Sequence, residues 1–392
     1  MKLLSVNAGS SSLKFTLIEL PEEKVVISGT FEKIGIDGSF YTIKYKGEKD
    51  KKEAKLKSHT DAVKILLDEL INYKVIKSYN EIDGVGHRLV HGGDKYTESV
   101  LINDDVLETV EKLVPLAPLH NPANLVGVRS FMEVLPDTPM VAVFDTAFHQ
   151  TMKEDEFLYA VPYEWYERYG VRRYGFHGTS HRFIAMKMKE ILGSDKKIIS
   201  CHIGNGASLC AIKDGKSIAT SMGFTPTPGV VMGTRCGDID VGLLPYVLSQ
   251  TKKKFDEVMN DLQKNSGMLG LTGVSSDMRD IEEAYNAKDE KCVDAMNIYV
   301  NRIVDYISMY NTKLEGADAI VFTAGVGENS DLVRKMVVDK LAFMGVKLDL
   351  EKNGERGISG EISTPDSTIK VFVVPTDEEL MIAKDTFDLI NK

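Results

Sequence analysis

The stretch Leu3-Leu4-Ser5-Val6-Asn7-Ala8-Gly9-Ser10-Ser11-Ser12-Leu13-Lys14-Phe15-Thr16-Leu17 decides how this chain is read. The apolar run over residues 3–6 reads as a buried strand, and the alternating run over 13–17 as its hairpin partner. The turn between them carries no bulky side chain. Gly9 lets backbone N–H groups approach a ligand closely, and three serines add small donors. Consecutive amides and hydroxyls at a tight turn make an anion cradle. Ordinary hairpin turns have the same composition, so the stretch alone does not decide between a cradle and a plain turn.

Repetition does. Ile198-Ile199-Ser200-Cys201-His202-Ile203-Gly204-Asn205-Gly206-Ala207-Ser208-Leu209 is again a strand, a glycine turn and a strand. Asn7 falls opposite His202 and Gly9 opposite Gly204. Ser12-Leu13 falls opposite Ser208-Leu209 when one residue is added to the second turn. A third turn, Thr323-Ala324-Gly325-Val326-Gly327-Glu328-Asn329, follows the apolar run 319–322. Three small-residue turns after three strands point to two related halves facing one polyanionic ligand.

The 392 residues suit two or three domains. A net charge of −10 argues against a nucleic acid or an acidic membrane as partner, though not against ATP, for which a few local cations suffice. No apolar run approaches the ~18 residues of a membrane span, and the start of the chain does not read as a signal peptide. The four cysteines form no Cys-x-x-Cys pair and read as reduced thiols of a cytoplasmic protein.

Further strands are expected over 24–31, 40–45, 82–90, 140–144, 216–221 and 369–374, and helices over 60–73 and 377–390. The charged run 46–57 reads as a solvated loop or hairpin end. Asn121 is expected to cap a helix with Pro122 in its first turn, and Thr179 or Ser180 to cap another. Asp145 closes the strand 140–144, a common place for a catalytic group. A domain boundary is expected near Gln150, giving domains 1–150 and 151–375.

No Gly-x-x-x-x-Gly-Lys-Ser/Thr is present, which excludes a P-loop protein. Gly325-Val326-Gly327-Glu328-Asn329-Ser330 approaches a dinucleotide fingerprint, but Ser330 replaces its third glycine. His177 and His181 are four apart, yet Gly178 stands where a zinc protease needs Glu. Arg88, Arg235 and Arg279 lie beside glycine-rich or Asp-bearing turns, and guanidinium groups suit phosphate and carboxylate partners.

These segments, with Gly86-His87-Arg88-Leu89-Val90-His91-Gly92-Gly93, Phe144-Asp145-Thr146-Ala147-Phe148-His149, Gly175-Phe176-His177-Gly178-Thr179-Ser180-His181, Met232-Gly233-Thr234-Arg235 and Pro375-Thr376-Asp377-Glu378-Glu379-Leu380, resemble the acetate kinase (acetokinase) family over essentially the whole chain. The resemblance implies the α/β, duplicated actin-like ATPase fold shared with sugar kinases and heat-shock ATPases, two domains with an interdomain ATP cleft. The helix 376–392 would join the first domain, and a homodimer would form through the second. It implies ATP + acetate ⇌ ADP + acetyl phosphate with Mg²⁺, Mn²⁺ being the alternative. By matching position the metal site falls on Asn7 and Glu378, and the catalytic groups on Arg88, Asp145, His177 and Arg235. Acetate would meet Arg88 and a pocket of Val90, Leu119, Phe176 and Pro226. ATP contacts fall on Lys14, on His202, Ile203, Gly204, Asn205 and Gly206, on Asp277, Met278 and Arg279, and on Gly325, Val326, Gly327, Glu328 and Asn329. Thr227-Pro228-Gly229, Cys236 and Val241 depart from the expected pattern, which leaves the acyl chain open between acetate, propionate and butyrate. An actin-like interaction protein is the alternative of another class; it would give Arg88 no role.

Overall fold

The computed structural model describes residues 1–118 and 120–392. Its strands are β1 (Lys2–Ala8), β2 (Ser12–Glu19), β3 (Lys24–Glu32), β4 (Phe40–Tyr45), β5 (Glu48–Glu53), β6 (Gly84–Leu89), β7 (Val100–Leu101), β8 (Met140–Phe144), β9 (Ile198–Ile203), β10 (Ala207–Lys213), β11 (Lys216–Thr220), β12 (Ala319–Thr323), β13 (Gly360–Glu361) and β14 (Lys370–Val373). They form two sheets, ordered β5-β4-β3-β2-β1-β6-β8-β7 and β11-β10-β9-β12-β14-β13. Read from β3 and from β11, both sheets pair in the same succession: antiparallel twice, parallel twice, then antiparallel. The repeat seen in two hairpins therefore extends to whole sheets, the duplicated α/β core of the actin-like ATPase fold.

The hairpin alignment needs one correction. Asn7 pairs with Lys14 and His202 pairs with Ser208, so the second turn is one residue shorter, and Ser208 corresponds to Lys14. The run 46–57 also differs from expectation, because it contributes β5, an edge strand on β4. Its dense charge suits an edge, where it discourages pairing with another chain.

Contacts divide the chain into one unit of Met1–Phe148 with Asp377–Lys392, and a second of His149–Thr376. In the first unit, Leu4, Val6, Ala8 and Val85 pack in one cluster with Leu66, Leu70 and Phe131 from the helices His59–Asn72 and Asn121–Val134. Ser58 and Asp61 close a capping box at the first of these helices. His120, not Asn121, precedes the second. Asn121 is instead buried, bonding the backbone N–H and C=O of His91 through its side chain. The C-terminal helix Glu378–Ile390 covers the opposite face, capped by Asp377. It approaches a floor without side chains. A Cβ on Gly84 would lie 2.3 Å from Ile390, and one on Gly86 2.3 Å from Thr386.

In the second unit the helix Gly178–Leu192 lies on β9. His177 caps it with left-handed backbone (φ 57°), in place of Thr179 or Ser180. The spacing of Val293, Met296, Val300, Ile303 and Ile307 predicts a core face, and the helix Glu290–Lys313 buries all of them but Val293, which is half-buried.

His87 is buried on β6, edge-on to Phe131, with Nε2 3.3 Å from the Met140 sulfur. Burial depresses its pKa to about 3. The unfolded chain takes up this proton first, near pH 6.5, so the contribution of neutral His87 is complete above that pH and is lost as pH falls toward 3. His87→Leu removes the titration. Between pH 7 and 4 the variant should lose roughly 3 kcal/mol less stability than the parent in urea titrations. Parallel losses would mean that His87 does not carry the acid sensitivity.

Candidate active site

Asn7, Arg88 and Asp145 stand at or just past the carboxyl ends of β1, β6 and β8, adjacent parallel strands. Alternation along a strand fixes their side. Val6, Ala8 and Val85 face the helix pair, so Asn7 and Arg88 face the C-terminal helix. Val141 and Val143 pack on Ile382 of that helix, and Asp145 continues their parity. Glu378, the first residue of the helix, arrives at the same ends.

Arg88 Nη2 donates to Asp145 Oδ2 at 2.7 Å, and its Nε lies 3.9 Å from Glu378 Oε2. The Asp145 backbone N–H bonds Leu89 O at 2.9 Å, which anchors the carboxylate. Burial disfavours the Arg88 charge, but Asp145 and Glu378 outweigh it and hold the pKa above the ordinary value. Glu378 is pushed up to about 7, by burial first and the Asp145 charge second, against the pull of Arg88. Lys14 reaches out from β2 to Glu379 at 2.7 Å. Val90, one residue past β6, is buried, and its N–H bonds Asn124 Oδ1. Leu119 lies outside the described residues.

In the second unit a cleft of about 950 Å³ is lined by Gly204, Asn205, Asp277, Met278, Arg279, Gly325, Val326, Glu328 and Asn329 among others. The sequence read Gly325 to Asn329 as a turn; the structure makes it a short helix, Ala324–Asn329. Glu328 stabilises it, its Oε1 accepting from Ala324 N at 2.7 Å and Thr376 N at 3.1 Å while Ala324 sits at φ 65°. His202, Ile203, Gly206 and Gly327 do not line this cleft. Ile203 is fully buried, and a Cβ on Gly327 would face the backbone of Phe322 and Cys201. Arg279 is exposed and paired with Asp277 at 2.5 Å, which drops the Asp277 carboxyl to about 2.

Sequence reasoning missed the other wall, which includes Glu282, Tyr299, Arg334 and Asn353. Arg334 is buried; it donates to the Gly327 and Glu328 carbonyls and twice to Asn353. Its signal was present: an arginine on a helix face otherwise made of Val333, Val337 and Val338.

Gly206 brings two expected residues together. A Cβ there would lie 3.3 Å from Arg235 Nη1 and 3.5 Å from His177 Nε2. Arg235 Nη1 also donates to Pro226 O at 3.1 Å, and burial lowers the pKa of its guanidinium. The loop bearing Arg235 is pinned by Asp238, whose Oδ1 accepts from Gly229 N at 2.8 Å and whose Oδ2 accepts from Tyr306 at 2.6 Å. Phe176 is buried, its carbonyl bonded to His149 Nε2.

The duplicated core with a glycine-walled cleft defines the class of actin-like ATPases. The chain belongs to the acetokinase family, whose model matches residues 2–384. It is 54% identical to the acetate kinase of Geobacillus kaustophilus over 100% of this chain and 99% of that one. Among solved structures it resembles the acetate kinase of Porphyromonas gingivalis (47% identity, TM-score 0.96) and a propionate kinase of Francisella tularensis (39% identity, TM-score 0.94), each over 99% of both chains.

Gly206→Ala should press a methyl against Arg235 and His177 and displace both by a few tenths of an ångström. We expect kcat to fall about tenfold while ADP affinity changes by less than about threefold. Unaltered kcat in the folded variant would separate this pair from the chemistry.

Proposed function

We propose that this protein is an acetate kinase that moves the γ-phosphoryl group of ATP directly, in line, onto the carboxylate of acetate, reversibly. The observation that carries the reading is the pair of donors, Arg235 and His177, converging over Gly206. Family membership supplies the reaction class. Acetate is already ionised at neutral pH, so the nucleophile needs no strong base. The barrier lies in bringing one anion against another, which positioning and charge stabilisation lower.

In this reading Arg88 holds the acetate carboxylate, and Arg235 and His177 bond the equatorial oxygens of the moving group. Losing one such donor costs roughly 3–4 kcal/mol of barrier. Asp145 orients Arg88 rather than taking a proton. Lys14, the turn His202–Gly206, residues 277–279 and the helix Ala324–Asn329 would serve ATP. Glu328 would do so indirectly, through the backbone it holds. Val90, Phe176 and Pro226 would meet the methyl group.

The acidic pair of the first unit fits a divalent cation. Glu378 is held near pH 7 by burial and Asp145, and a cation there would relieve both. Asn7 and Glu378 would hold Mg²⁺ directly or through water, in keeping with an ion that retains several waters and phosphate ligands. When bound, Mg²⁺ would neutralise charge on the ATP phosphates.

A homodimer fits the helix Leu243–Thr251. It carries Leu243, Leu244, Tyr246, Val247 and Leu248, yet buries none of its residues within one chain. The four free cysteines favour a cytoplasmic setting. No helix among the described residues is long and apolar enough to cross a membrane. The domains follow the two units, with the C-terminal helix completing the first.

Arg88→Ala would take a charged partner from the buried Asp145 carboxylate, so Arg88→Lys is the cleaner variant. It should lower kcat/KM for acetate at least a hundredfold while ADP binding persists. Near-parental kcat/KM would remove Arg88 from the carboxylate. Hydroxamate formed from ATP, acetate and hydroxylamine tests the reaction itself, and an enzyme unable to form it would overturn the reading.

Val90→Ala removes about 1–2 kcal/mol of apolar contact at most. The propionate-to-acetate ratio of kcat/KM should rise several-fold. An unchanged ratio with a lowered Tm would return Val90 to the core.

A further inference from the structure

The helix Gly178–Leu192 buries Phe183, Ile184, Ala185 and Met188, but its start meets β9 and β10 through polar side chains. Ser200 and His202 share one face of β9, and Ser208 on β10 is the register partner of His202. Ser208 Oγ lies 2.9 Å from His177 Nδ1 and 2.8 Å from His181 Nε2. His181 Nδ1 lies 2.9 Å from Ser200 Oγ. Ser200, Ser208 and His181 are completely buried. The four side chains form one unbroken row, Ser200–His181–Ser208–His177, whose last ring brings its Nε2 to the space over Gly206 that Arg235 also borders.

The His177 ring is also held from its flank. His202 stacks on it with centroids 4.1 Å apart. Ser180 Oγ bonds His202 Nδ1 at 2.8 Å and Thr376 Oγ1 at 2.8 Å. An apolar interface of the same volume would cost less desolvation, so this row is an expense unless it does something.

Each hydroxyl carries one hydrogen, which makes the row directional. Burial drives the His181 pKa well below its ordinary value, so this ring is neutral with one donor and one acceptor nitrogen. With the His177 ring carrying a single hydrogen as well, two runs of hydrogens are self-consistent. In one, Ser200 donates to His181, His181 to Ser208, and Ser208 to His177 Nδ1; the His177 hydrogen is left on Nε2. In the other every bond is reversed, and Nε2 presents a lone pair. A phosphoryl oxygen beside Arg235 accepts only from the first.

We infer that Ser208, backed by His181 and Ser200, is a positioning residue that holds His177 with its hydrogen on Nε2, aimed at the transferring group. This rests on the phosphoryl-transfer reading for the identity of the anion. Ser208 is bonded to His177 Nδ1, on the side of the ring away from Nε2, and acts through that ring.

The test is nitrogen NMR on ¹⁵N-histidine-labelled protein with ADP, Mg²⁺ and orthovanadate at pH 8.5, where imidazoles are ordinarily neutral. The His177 signals are assigned by their loss in His177→Gln. The parent should show the Nε2–H tautomer. Ser208→Ala should show a mixture of both tautomers, with kcat about tenfold or more lower and the KM for ATP within about threefold. Ser200→Ala, which leaves every His177 contact in place, should shift the tautomer part of the way and covers the case that Ser208→Ala does not fold. A parent with its hydrogen on Nδ1 would overturn the inference. So would a folded Ser208→Ala or Ser200→Ala with the parental tautomer and kcat. If the parent formed no acetyl hydroxamate while Ser208→Ala still shifted the tautomer, the assigned reaction would fall and the row would stand.

Discussion

The closeness of the C-terminal helix to β6 is the constraint on which the first unit's site depends. Gly84 and Gly86 offer no side chain, and a methyl at either position would overlap the helix. Because the backbones come this near, the helix start delivers Glu378 to within 3.9 Å of Arg88. Arg88 is then shared between two carboxylates in a partly desolvated place. Burial first and the Asp145 charge second raise the pKa of Glu378, against the pull of Arg88. This meeting of one arginine with two carboxylates is thus a consequence of two missing side chains.

The second unit solves a different problem with the same topology. Its corresponding hairpin has a shorter turn, and Ser208 stands where the first unit has Lys14. Lys14 reaches outward to an ion pair, whereas Ser208 turns inward to two imidazoles. The two sheets share one pairing succession, and at this matching register position one carries an ammonium paired with a carboxylate while the other carries a hydroxyl bonded to imidazoles. The glycine turns differ in the same spirit: Gly206 is bare because Arg235 and His177 need its space.

Rigidity around Arg235 comes from outside the glycine loop. Asp238 joins the backbone at Gly229 to Tyr306 on the long helix, and Arg235 lies inside the closed segment. Arg334 does the same for the short helix Ala324–Asn329 by capping its last carbonyls from a buried position. Both ties are made by charged side chains to backbone or hydroxyl groups, so the functional loops are held by directional bonds rather than by packing alone.

The sequence by itself determined most of the strands and the internal repeat, because alternation, glycine spacing and apolar runs are local properties of the chain, but it read the edge strand β5 as a solvated loop or hairpin end and the helix Ala324–Asn329 as a turn. It also marked Arg88, Asp145, His177 and Arg235, through motifs that lie wholly within short segments. It misplaced caps at Asn121 and Ser180, since both side chains are claimed by distant partners, His91 in one case and His202 in the other. It gave no view of the wall formed by Glu282, Arg334 and Asn353, whose residues meet only after the chain has folded. Tertiary structure alone decided that Glu378 joins Arg88 from the far end of the chain, and that Ser208 links His177 to His181. Contacts between residues remote in sequence depend on which faces and registers pair, and no local pattern encodes that.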